Sequence, residues 1–91
     1  MLAGGLLLLA VGCAAVPPVQ EMSDARQAIR SAEEAGAEQH APAPLRQARQ
    51  LLATAQEQLQ RGAYSQARDA ARDAYSAAVQ AREQAVRFTL Q

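Results

Sequence analysis

Tryptophan and lysine are absent from this 91-residue chain, and cysteine and histidine each occur once. One cysteine excludes an internal disulfide, the usual staple of a small secreted domain. The single histidine, His40, stands in the Pro-flanked stretch from Glu38 to Pro44. It is expected to be a solvated loop residue, because a metal site needs several ligands at close spacing. An excess of one charge is also missing. Nine basic and nine acidic residues give a formal net charge of zero, whereas a nucleic-acid partner asks for a basic face. All the basic residues are Arg, which we take as coding bias and not as chemistry. Ser23, Ser31, Ser65 and Ser76 have no triad context. No catalytic residue, metal or cofactor is therefore expected, and the chain reads as a non-enzyme.

Large apolar residues are scarce beyond position 13. They are Met22, Ile29, Leu45, Leu51, Leu52, Leu59, Phe88, Leu90 and some Val. The hydrophobic class reaches 49%, but most of it is Ala. At ~25 cal/mol per Å² of buried apolar area, an Ala-built core is thin. One small domain of this kind is marginal. Ala, Arg, Gln and Glu are strong helix formers and offset part of that deficit.

The long hydrophobic run lies at the start, in MLAGGLLLLAVGC. Gly12 precedes Cys13, and Val11 and Ala10 stand before it. A run of Leu and Ala ending in small residues and Cys resembles a bacterial lipoprotein signal. That resemblance implies removal of residues 1–12, a diacylglycerol thioether on Cys13 and acylation of its freed amine. Ala10 replaces the usual Leu, and no Lys or Arg precedes the run, although secretory signals normally begin with positive charge. The true start is therefore expected upstream of Met1 or mis-assigned. Two alternatives stay open: an ordinary signal peptide cut near Cys13-Ala14-Ala15, and a membrane anchor. The run from Leu2 to Val16 is shorter than the ~20 residues a spanning helix needs. The expected division is 1–12 signal, 13–22 lipidated Cys with a Pro-rich tether, and 23–91 helical domain. Pro17-Pro18 favours an extended spacer.

Beyond the tether the spacing predicts helices throughout. The first is expected from about Asp24 to Ala35, with an Asp24/Gln27 capping box, apolar positions at Met22, Ala25, Ile29 and Ala32, and Gly36 as its stop. A linker with Pro42 and Pro44 should interrupt helix, although Pro44 suits the first turn of the next. The second helix carries a Leu/Ala heptad seam: Leu45, Ala48, Leu52, Ala55 and Leu59. Gly62 ends it and Ser65 should cap the third. The third helix repeats Ala67, Ala71, Ala74, Ala78, Ala81 and Ala85, ending at Phe88. Small seam residues let helix axes approach at the short end of the ~8–10 Å range. The outer face alternates Arg68, Asp69, Arg72, Asp73, Arg82, Glu83 and Arg87. The expected fold is all-α, a long antiparallel hairpin with a shorter N-terminal helix docked as a small three-helix bundle. Helix three should be the longer and overhang helix two.

The stretch from Ala41 to Ala85 resembles the bacterial domain of unknown function 4398, found in small envelope lipoproteins. Ala41, Pro42, Leu45, Ala48, Leu52, Ala55, Gly62, Tyr64, Ala67, Ala71, Ala74 and Ala78 occupy the family's matching positions. The preceding AEEAGAEQH stretch fits as well. Some members resemble this module followed by a peptidoglycan-binding domain; with Gln91 as the last residue, none is expected here. The resemblance brings no activity. The hairpin is also similar to one tetratricopeptide unit through Gly62, Tyr64, Ala67 and Ala74, but stacked repeats are needed for a groove. Tyr64 is expected to pack over the Gly62 turn, and Tyr75 to flank the Ala74/Ala78 stripe. Two functions follow as expectations. One is a lipid-anchored structural or adaptor protein, facing the periplasm from the outer membrane and contacting an envelope protein or its own copies. The other is a periplasmic ligand- or peptide-binding module. Nucleic acid is not an expected partner.

Overall fold

Helix-forming residues fill nearly all the chain on either side of two left-handed glycines, and the fold follows from where those glycines sit. A computed structural model describes residues 16–90. Cys13 and the apolar run before it lie outside the described residues. Four helices follow in order: α1 Val19–Glu34, α2 Ala37–His40, α3 Pro42–Gln60 and α4 Tyr64–Leu90. No strand occurs among the described residues.

The glycines end helices as expected. Gly62 has φ +77. Its N–H bonds the Leu59 carbonyl at 3.0 Å, and the Ala63 N–H reaches the Gln58 carbonyl at 2.9 Å. That pair of bonds is a Schellman closure, which satisfies carbonyls left over at a helix end. Gly36, at φ +90, ends α1 and donates to the Glu33 carbonyl at 3.0 Å.

The helix starts differ from expectation. α1 begins at Val19, so residues 19–22 of the expected tether are helical. Asp24 is no cap: it lies inside α1 and accepts a hydrogen bond from Gln20 Nε2 at 2.9 Å. The N-cap is Pro18, which has no side-chain cap bond but is fully buried. Its carbonyl accepts the first intrahelical bond, from Met22 N–H at 3.1 Å. Burial of Met22 and Pro18 rewards the extra turn where capping chemistry does not. Pro42 and Pro44 also fail to interrupt helix, because both lie in the first turn of α3. Those positions have no intrahelical acceptor, so a proline there gives up no bond. The first α3 donor is the Leu45 N–H, to the Ala41 carbonyl at 3.3 Å. Residues 38–40 of the expected linker fold into α2, and Ala41 joins α2 to α3. α4 starts at Tyr64, which places Ser65 within its first turn and not at its cap.

α3 and α4 form the antiparallel hairpin. α1 runs parallel to α4: Glu21 near its start faces Arg68 and Arg72, while Ile29 and Ala32 near its end share a cluster with Ala77, Ala78, Ala81 and Ala85. The first helix therefore docks, and the chain forms a small helical bundle with α4 as its spine. The long Ala stripe is not left open. Ala77, Ala78, Ala81 and Ala85 are buried together with α1, α2 and the start of α3. Near the turn, Met22 packs with Ala55, Ala70 and Ala71.

Candidate functional site

Among the described residues the candidate sites are contact features. The first is the packing seam. Leu45, Ala48, Ala55, Ala67, Ala71, Ala74, Ala78 and Ala81 are buried, and Leu52 and Leu59 are half-buried. Ala70 and Ala77 are buried beside them. They widen the α4 stripe because two helices, α1 and α3, rest on it. The wider stripe is visible in the sequence as extra Ala two turns apart, and it distinguishes a helix with two partners from one with a single partner.

The second feature joins three elements. Arg49 Nη2 on α3 donates to Glu33 Oε2 on α1 at 2.6 Å and to Glu38 Oε1 on α2 at 2.7 Å. Those bonds, Glu33 first and then Glu38, hold the guanidinium above its ordinary pKa. All three groups stand in solvent, where such pairs contribute ~0.2–1 kcal/mol. Arg49→Ala is expected to lower stability by less than about 1 kcal/mol per lost pair in urea titrations, and the loss should shrink as salt rises.

The third feature fastens the N-terminal segment. Arg68 Nη2 donates to the Val16 carbonyl at 2.9 Å, and Glu21 lies 3.7 Å from Arg68 Nε and 3.8 Å from Arg72 Nη2. At the far end of the bundle, His40 closes α2. It is half-buried and stacks on Phe88 with ring centroids 4.1 Å apart. The expected solvated loop histidine is thus a packing residue. Phe88 itself stays largely exposed, so it ends the stripe without entering the core.

Tyr64 is half-buried beside the turn, in a shallow depression with Gly62, Ala63, Ser65 and Gln66. A Cβ at Gly62 would meet nothing within 4 Å, so its positive φ and not a close approach demands glycine there. Tyr75 is exposed on α4 and borders an open groove of about 620 Å³ with Asp24, Gln27, Ala28, Ser31, Val79 and Arg82. Among the described residues no three His, Cys, Asp or Glu side chains are grouped to hold a metal ion. No helix of the described residues is long and apolar enough to cross a membrane.

The profile of the domain of unknown function DUF4398 matches residues 20–89. The chain belongs to the DUF4398 family. The match begins at the second residue of α1 and ends near the end of α4, so the DUF4398 module is the whole bundle and not the hairpin alone. No curated protein and no solved structure matches the chain. Cys13, the expected lipidation site, lies before both the DUF4398 match and the described residues.

Proposed function

We propose that this protein is a lipid-anchored structural or adaptor protein of the bacterial envelope, held on the outer membrane and facing the periplasm. The observation that carries the proposal is Cys13 in its setting. It closes an apolar run, follows Val11 and Gly12, and stands five residues before the buried Pro18 where the bundle begins. A thioether lipid there tethers an Ala-rich bundle whose outer faces mix Arg with Asp and Glu. The diacylglycerol alone carries two acyl chains, and two give stable membrane attachment where one gives only marginal binding. Ala14 is not the Asp that keeps enterobacterial lipoproteins on the inner membrane, which favours the outer one. With the α4 stripe used inside the bundle, contacts to an envelope protein or a second copy fall to the outer surface.

Intact mass spectrometry of the membrane fraction tests the anchor. Wild type should carry an acylated N-terminus at Cys13, and that mass should vanish in Cys13→Ser. An unmodified wild-type chain in the soluble fraction sinks the proposal. A second reading, a periplasmic binding module, draws on the groove beside Tyr75. It requires a ligand-induced thermal shift that Tyr75→Ala abolishes.

A further inference from the structure

We propose that the bundle stands on the membrane through its Gly62 end, with the His40–Phe88 end pointing away from the lipid. The proposal rests on the lipid anchor at Cys13 and adds which surface faces the bilayer. The occupant of that surface is a phospholipid headgroup layer.

Chain length and its point of departure set the orientation. Three residue steps separate Cys13 from Val16, a reach of at most ~11 Å when fully extended. Val16 is not free to wander from the body. Its carbonyl is bonded by Arg68, four residues into α4, and Pro18 two positions later is buried. A lipid on Cys13 is therefore confined near the start of α4, beside the α3–α4 turn. From Arg68 to Leu90 the helix rises ~33 Å at 1.5 Å per residue. The tether spans about a third of that distance, so it cannot bring the far end to the bilayer while the bundle is upright.

The remaining alternative is a bundle lying on its side. A helix that lies in a membrane interface buries a continuous apolar face. Here the large exposed apolar side chains gather mainly at the two ends. Val16 and Val19 lie at the turn end, 53% and 68% exposed, and Phe88 and Leu90 at the far end, 57% and 81% exposed. Between them, among the described residues, Tyr75 is the one large exposed hydrophobic side chain, and the groove beside it mixes Ala28 and Val79 with Asp24, Gln27, Ser31 and Arg82. The flanks thus offer no stripe to a bilayer. The turn itself carries exposed Arg61 and half-buried Tyr64, whose apolar stems and polar tips suit a headgroup layer. The consequence is that Phe88 and Leu90 are presented to the periplasm, well clear of the lipid.

The test uses the full chain purified from membranes and reconstituted into phosphatidylethanolamine/phosphatidylglycerol vesicles. Gln60→Cys at the turn end and Arg87→Cys at the far end each supply one thiol for an environment-sensitive fluorophore. Both positions are exposed, and Ser65→Cys with Glu83→Cys gives a second exposed pair. The acylated Cys13 does not compete for the label. A headgroup spin-labelled phospholipid then quenches whatever lies near the surface. The turn-end label should be quenched several times as strongly as the far-end label, and both pairs should agree. Equal quenching, stronger quenching at the far end, or none at either end overturns the orientation. The N-terminal mass of the same sample separates the two ideas. An acylated chain with the wrong quenching pattern refutes the orientation alone. A chain without acyl groups at Cys13 refutes the anchor and the orientation with it.

Discussion

Leu45→Ala is expected to lower the melting temperature by about 10 °C or more, the largest loss from any single deletion in this core. Leu45 is 1% exposed and lies at the junction of all four helices. Its cluster includes Ile29 and Ala32 of α1, Ala37 of α2, Ala48 of α3 and Ala77, Ala78, Ala81 and Ala85 of α4. Truncating a buried Leu removes its transfer free energy and leaves a cavity, together ~2–5 kcal/mol. The spread depends on how far the walls can collapse. Most of the walls are alanine and have no rotamers with which to fill a hole, so relaxation comes mainly from moving whole helices. That places Leu45 toward the upper part of the range. A domain of this size holds roughly 0.05–0.15 kcal/mol per residue in total, so the loss is a large share of what there is. Thermal melts followed by far-ultraviolet circular dichroism check it. Leu45→Met, which conserves volume, should stay within about 1.5 kcal/mol of wild type. A melting temperature unchanged in Leu45→Ala would show that the junction is not packed as described.

How much of this architecture the sequence carries differs from element to element. The hairpin and its seam are legible because a three-four spacing of Leu and Ala names a helix face whatever packs on it. Gly36 and Gly62 are legible as stops because both adopt the left-handed conformation that other residues avoid. The start of α1 is not legible from capping rules. Asp24 looks like a cap, yet the helix gains more by extending back to bury Met22 and Pro18. The proline pair misleads in the opposite direction, since Pro42 and Pro44 are breakers inside a helix and harmless in its first turn. The Arg49 bridge is invisible to local reading: its carboxylates lie 16 and 11 residues away on two other helices. The contact between His40 and Phe88 joins residues on two different helices far apart in sequence and depends on the α2 turn that the two prolines obscure. For the proposed anchoring site the balance is reversed. Cys13 is legible only as sequence, through small residues and an apolar run, and the structural contribution is the fixed position of Val16 behind it.

The seam makes a second prediction, of opposite chemistry. Ala78→Leu adds apolar volume and keeps a strong helix former, yet it is expected to destabilise the bundle by about 1–3 kcal/mol or more. Ala78 is fully buried on the side of α4 where α1, α2 and the start of α3 converge. Alanine there lets the helix axes come close, and close axes bring the few large side chains, Leu45 and Ile29, into contact with the stripe. A Leu in the same place can be accommodated only by off-rotamer strain or by separating the helices, and separation loosens every neighbouring contact at once. Ala53→Leu is the matched control, because Ala53 is exposed on α3 and a surface change of this kind stays within about 0.5 kcal/mol. Urea titrations of the two variants set intrinsic helix preference, which is equal in both, against packing, which is not. If Ala78→Leu proves as stable as Ala53→Leu, the alanine stripe does not set the spacing of the helices, and the bundle must be held by its few large side chains alone.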